Sequence, residues 1–203
     1  MAQAYATVPD LKSRLDIDDS EDDTYLGGIL EAVSRSVDDY TGRRFYVNSS
    51  DETRVYTVCF ASIFECPDDV ISLTSLKTDT TNDGTFDRTW AAADYELWPW
   101  NSATDSKPYT ELRVAEDSSS NSYTFETAPR GLQLVGKFGY WTSTPPVIKE
   151  ATIREAKLWY LEGEAPTGMQ NEELGTSTAA DSPLSPGVKR MLAPFVRVRV
   201  TGF

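Results

Sequence analysis

The spacing of apolar residues changes twice along this chain, and those two changes constrain its fold more than any other feature. Leu26, Ile29, Leu30, Val33, Val37 and Tyr40 recur at helical spacing. From about Asp51 to Trp141 the period falls to two, in runs such as "TRVYTVCF", "VISLTSLKT", "DYELWP", "YTELRVA", "SYTFET" and "RGLQLVGKFGYW". After Pro145-Pro146 the helical spacing returns in "VIKEATIREAKLWYLEGE". A period of 3.6 lines one face of a helix, whereas a period of two lines one face of a strand. The expected class is therefore α+β: a small helical platform, with an antiparallel β domain of sandwich or barrel-like form inserted into it and an extended C-terminal tail.

Composition shifts divide the chain further. Residues 1–50 read as the first part of the platform, 51–143 as the β insert, and 144–164 as a platform helix. Residues 165–183, "PTGMQNEELGTSTAADSP" at their heart, have the Gly/Pro/Ser/Thr content of a flexible tether. Residues 184–203 read as a short helix and a strand that dock elsewhere.

Local signals set the helix ends. Thr7 can cap a first short helix over 7–16, with Pro9 in its first turn. Ser20 with Asp23 reads as a capping-box variant for the long helix, and Gly42 stands where a left-handed C-cap belongs. Gly27-Gly28 inside that helix costs about 1 kcal/mol per glycine relative to alanine, for which close helix packing is the expected reason. In the last segment Ser185 can cap and Pro186 can begin a short helix. The alternation that follows, Phe195, Val196, Arg197, Val198, Arg199, Val200, is that of a strand.

Charge and composition exclude several functions. Lys and Arg number 19 against 32 Asp and Glu, a net −13, whereas a chain that grips DNA needs cations for phosphate. Histidine is absent, which removes the commonest general base and metal ligand. Cys59 and Cys66 are too few for a disulfide scaffold. The opening "MAQAYATVPDLKSRLD" lacks a signal-peptide pattern, so a cytoplasm-like compartment without membrane insertion is expected.

Candidate sites are few. "DTTNDGTFDRTW" places Asp79, Asp83 and Gly84 at positions 1, 5 and 6 of a calcium loop, but Trp90 stands where the bidentate glutamate must be. A tight Asp-Gly hairpin turn is the preferred reading, with an ion at Asp79–Asp87 left open. Trp90, Trp98, Trp100 and Trp141 read as core or interface residues, and a glycan or protein platform is the alternative. The doublets Asp18-Asp19, Asp22-Asp23, Asp38-Asp39 and Asp68-Asp69 read as solvated caps and faces, because neighbours in a helix do not face each other. A carboxylate-dependent hydrolase is the weakest alternative. No catalytic group, cofactor or metal is expected.

Three stretches together resemble the gp6-like head–tail connectors (adaptors) of tailed viruses. They are "VPDLKSRLDIDDSEDDTYLGGILEAVSRSVDDYTGRRF" with its Tyr40-Thr41-Gly42-Arg43 signature, "VIKEATIREAKLWY", and "LSPGVKRMLAPFVRV". The resemblance implies a structural virion protein, assembled in the host cytoplasm and placed at the head–tail interface. It would form a ring, expected to be twelve-fold, below the portal protein, extend the DNA channel and carry the next neck or tail component. DNA would pass without specific binding. On this reading Val188, Met191, Leu192, Phe195, Val196, Arg197, Val198, Arg199 and Val200 dock on the portal, the strand adding to a partner's sheet. Asp38 and Asp39 would lie near the lumen or rim. The acidity would reflect either an acidic channel or a halophilic host.

Overall fold

The computed structural model describes residues 3–115, 123–164 and 183–197. The chain divides into two compact units, one made of residues 1–45 and 144–203 and the other of residues 46–143.

In the first unit the described elements are α1 (Val8–Leu15), α2 (Asp23–Thr41), α3 (Pro146–Glu164) and α4 (Pro186–Leu192), followed by a 3₁₀ turn, Ala193–Phe195. Thr7 caps α1 through a capping box with Asp10, as its position predicts. The start of α2 differs from expectation. The helix begins at Asp23 with Asp22 at the cap position and no side-chain cap, so Ser20 lies two residues too early. Asp22 instead accepts from Tyr160 Oη at 3.0 Å, which draws the helix start toward α3. The apolar stripe of α2 is buried as spaced, from Leu26 to Val37, and meets Ile148, Ala151 and Ala156 of α3 in one core. The glycine pair does not mark a close approach. A Cβ on Gly27 would sit 3.8 Å from Val8, ordinary contact, and one on Gly28 would meet nothing. Gly42 is left-handed at φ 64°, and its N–H donates to Asp38 O at 2.8 Å, ending the helix as expected.

Among its described residues the second unit carries six antiparallel strands: β1 (Glu52–Tyr56), β2 (Ile63–Thr78), β3 (Arg88–Thr89), β4 (Tyr95–Trp98), β5 (Tyr109–Val114) and β6 (Leu132–Phe138). They form one sheet in the order β1-β6-β2-β5-β4, with β3 on β2. Its path ends at β1 and β4, so the described sheet is open and neither a sandwich nor a closed barrel. The long β2 is its spine. Ile63, Phe64 and Glu65 pair with β5, and Ser72 to Thr78 pair with β6. Pro67, which has no N–H to donate, lies within the register shift between Glu65 and Val70. Gly136 of β6 faces a second irregularity, where a Cβ would come within 2.1 Å of Ser72 O. The "SYTFET" run is not a strand in its described part. Phe125 enters the core instead, and its N–H donates to Ala61 O at 2.7 Å. Phe64, Val70, Leu76, Trp90, Leu112, Leu134 and Phe138 share that core.

Candidate functional site

The C-terminal segment was expected to leave the chain, and up to Arg197 it does the opposite. Leu184, Val188 and Leu192 are fully buried within their own unit. Val188 and Leu192 are thus core residues and cannot serve as free portal anchors, while Met191 is half-buried. The cause is a buried acid on α3. Glu155 is 2% exposed and accepts from Ser185 twice through its N–H, at 3.1 Å on each oxygen, and once through its hydroxyl at 2.7 Å. Trp159 Nε1 donates to the same carboxylate at 3.2 Å. Ser185 occupies the cap position of α4 without a side-chain cap bond of its own; its groups are spent on Glu155.

Beyond α4 the chain crosses the end of α2. Phe195 begins no strand; it ends the 3₁₀ turn and sets its ring edge-on to Phe45, centroids 5.8 Å apart. Arg43 Nε donates to Phe195 O at 2.8 Å, and Arg197 N–H donates to Thr41 O at 2.8 Å. A helix leaves its last carbonyls unpaired, and here the returning chain satisfies one of them. The "YTGR" signature therefore has a mechanical reading. Gly42 reverses the chain, while Thr41 and Arg43 hold the C-terminal segment across the reversal. Val198, Arg199 and Val200 lie outside the described residues.

Asp38 and Asp39 separate in the structure. Tyr5 Oη donates to Asp38 Oδ1 and accepts from Phe45 N–H at 2.9 Å, and Arg35 pairs with Asp38 Oδ2 at 3.0 Å. Burial lifts the Asp38 carboxyl to about 6, against the pull of Tyr5 and Arg35. Burial and the Asp38 charge raise the Tyr5 phenol as well, so it stays a donor. Asp38 is an internal tie and not a solvated face; Asp39 is exposed. Asp69 is likewise buried, and Asp68 pairs with Arg54 at 2.5 Å and accepts from Tyr56 at 2.7 Å.

In the β unit the calcium-like stretch is a nine-residue loop between β2 and β3, not a tight hairpin. Asp79 is buried, and its carboxylate accepts the N–H groups of Thr81 (3.2 Å), Asp83 (3.3 Å) and Gly84 (2.7 Å). The acid fills the loop that a cation would need to enter. Trp90, at the twelfth position, stacks on Phe125 at 5.0 Å and donates to Thr78 Oγ1 at 3.1 Å. Among the described residues no group of three or more His, Cys, Asp or Glu could hold a metal ion, and no helix is long and apolar enough to cross a membrane.

The tryptophans divide in the same way. Trp90 is core. Trp98 lies under the Arg113 guanidinium at 4.1 Å and meets Trp100 edge-on at 5.8 Å. Trp100 is 61% exposed. One ring face of Trp98 is covered by an arginine, which makes the pair a poor stacking platform.

Residues 5–63 match the family described as phage gp6-like head-tail connector protein. That match spans α1, α2 and β1; the other two stretches that carry the resemblance lie beyond it. No curated protein matches the chain. Among solved structures, a chain in the neck of the empty GTA particle, computed with C6 symmetry, shares the fold. Its TM-score is 0.59 and its identity 16%, over 98% of this chain and 93% of that one. A chain in the neck of the native GTA particle, computed with C12 symmetry, gives 0.57 and 17% over 100% and 98%. A chain in the virion of the native gene transfer agent particle gives 0.57 and 18% over 98% and 93%.

Proposed function

We propose that the chain is a structural head–tail connector, one subunit of a homo-oligomeric ring in the neck of a tailed particle. The match of residues 5–63 to the gp6-like connectors carries the reading. Fold likeness over nearly the full chain to proteins from necks computed with C6 and C12 symmetry supports it. Twelve copies would stand below the portal and pass DNA to the next neck component. The −13 balance suits a channel that repels phosphate. Asp39, with its carboxylate outside the internal tie, is the acid we place at the lumen or rim. On this reading the role is mechanical.

Portal docking is retained for the stretch from Val198 onward, since Val188 and Leu192 belong to the core. Val198→Pro removes a ladder donor. It should leave the melting temperature unchanged and abolish capture by purified portal; full-strength capture would exclude strand pairing there. Localisation tests the larger claim. Antibody-labelled particles viewed by electron microscopy should show the chain at the head–tail junction, and label on the capsid shell or tail tip would refute the assignment.

A further inference from the structure

In the helical unit, α3 exposes two large apolar side chains, Val147 (42%) and Leu161 (43%). They stand seven residues to either side of exposed Arg154, so the three form one line along the helix. The Arg154 guanidinium lies over α4, 3.6 Å from where a Cβ on Gly187 would be. Arg190, one turn further along α4, is exposed, and Lys189 stands beside it. Among the described residues, Lys12, Arg14, Arg35 and Lys149 of this unit have acidic partners, while Arg154, Lys189 and Arg190 have none. In a chain of net −13, three cations without an acidic partner among the described residues thus stand along this apolar stripe.

The same unit carries the complement. Asp16, Asp18, Asp19 and Glu21, in the connection between α1 and α2, are exposed, and their carboxylates pair with no cation among the described residues; Lys12 reaches only the Asp19 carbonyl. We infer that the α3–α4 face around Arg154 is a contact surface for a second copy of this chain, received by the Asp16–Glu21 stretch of that copy. The inference rests on the ring reading and deepens it. Two different patches meeting on successive copies make a heterologous contact, the kind that closes into a ring. Complementary charge would set its register, and the Val147–Leu161 stripe would supply the apolar area.

The test mixes equal amounts of ordinary and ¹⁵N-labelled full-length chain, with portal present, and joins amines to carboxylates by a spacer-free carbodiimide. Light–heavy cross-links from Lys189 to Asp16, Asp18, Asp19 or Glu21 are expected. Arg154→Glu with Arg190→Glu should lower ring formation at least about tenfold, the scale of one good charge pair, at an unchanged melting temperature. Adding Asp18→Lys with Asp19→Lys should restore it. Rings that form at full strength in the double arginine variant would overturn this surface and leave the ring reading standing. So would cross-links confined to one chain, or duplex DNA that shields Lys189. Copies that never assemble would overturn the ring reading and this surface together.

Discussion

The two units use their acids differently. In the helical unit the acids tie together segments far apart in sequence: Glu155 holds Ser185, thirty positions on, and Asp38 holds Tyr5, thirty-three back. In the β unit the acids of the loops between β2 and β3 and between β3 and β4 hold their own neighbours. Asp79 closes on Thr81 to Gly84, Asp87 on Thr80, and Asp94 on Ala91. A short-range tie orders a loop and little else. A long-range tie makes one segment's order depend on another's, so the helical unit should fail as a whole where the β unit frays locally.

Deleting residues 184–203 should break the comparison most strongly. It removes Leu184, Val188 and Leu192 from a core and leaves Glu155 facing no donor from Ser185. Buried aliphatic losses of about 2–5 kcal/mol each exceed what a small unit can lose, so the helical unit should unfold while β-unit amides keep their protection from hydrogen exchange. A melting temperature equal to that of the full chain would show that the tail is not part of this core. Glu155→Ala is next. Stranding the half-buried donors of Ser185 and Trp159 should cost about 3 kcal/mol, read by urea unfolding, with exchange rising in both α3 and α4. Asp79→Ala should cost less, about 2 kcal/mol, with the rise confined to residues 79–89.

Acid separates Asp38 by sign from the other shifted carboxylates. The Asp38 carboxyl titrates near 6 when folded, above its ordinary 3.8. Its contribution is therefore complete below 3.8 and lost as pH rises through about 6. Asp51, Asp83 and Asp87 are held below 3.8 by Thr74, Thr85 and Thr80, so theirs is present above 3.8 and lost only as acid protonates them. Asp10, lowered to about 2 by Thr7, behaves like them. Between pH 7 and 4, helical-unit protection should rise while β-unit protection stays flat, and Asp38→Asn should remove the rise. The smallest effect belongs to the capping box, where Thr7→Ala should cost about 1 kcal/mol by urea unfolding.

Which features could be read from sequence follows the same division. The α2 stripe, Gly42, the Thr7 cap and most strands announce themselves within a few residues. So does the disqualifying Trp90 in the calcium-like loop. The first half of β2 was hidden: the strand run legible in the sequence begins at Val70, and "ECPDD" before it carries a proline and three acids, residues that strands disfavour. Asp38 and Asp69 looked solvated because nothing local shows what packs over them. Glu155 left one trace, an acid at a core position of the α3 stripe; a buried carboxylate there requires a donor from elsewhere. Its partner, thirty residues on, could not be named. The same limit applies to Val188 and Leu192, which the structure buries within their own unit. Their spacing identifies an apolar face, but not whether it is covered by this chain or by another.

The connector assignment itself is tested most directly by native mass measurement of the full chain mixed with its particle's portal. The account expects a single complex in which twelve copies of this chain join one portal ring. A chain that stays monomeric beside the portal at every concentration, or that binds without forming a ring, would contradict it.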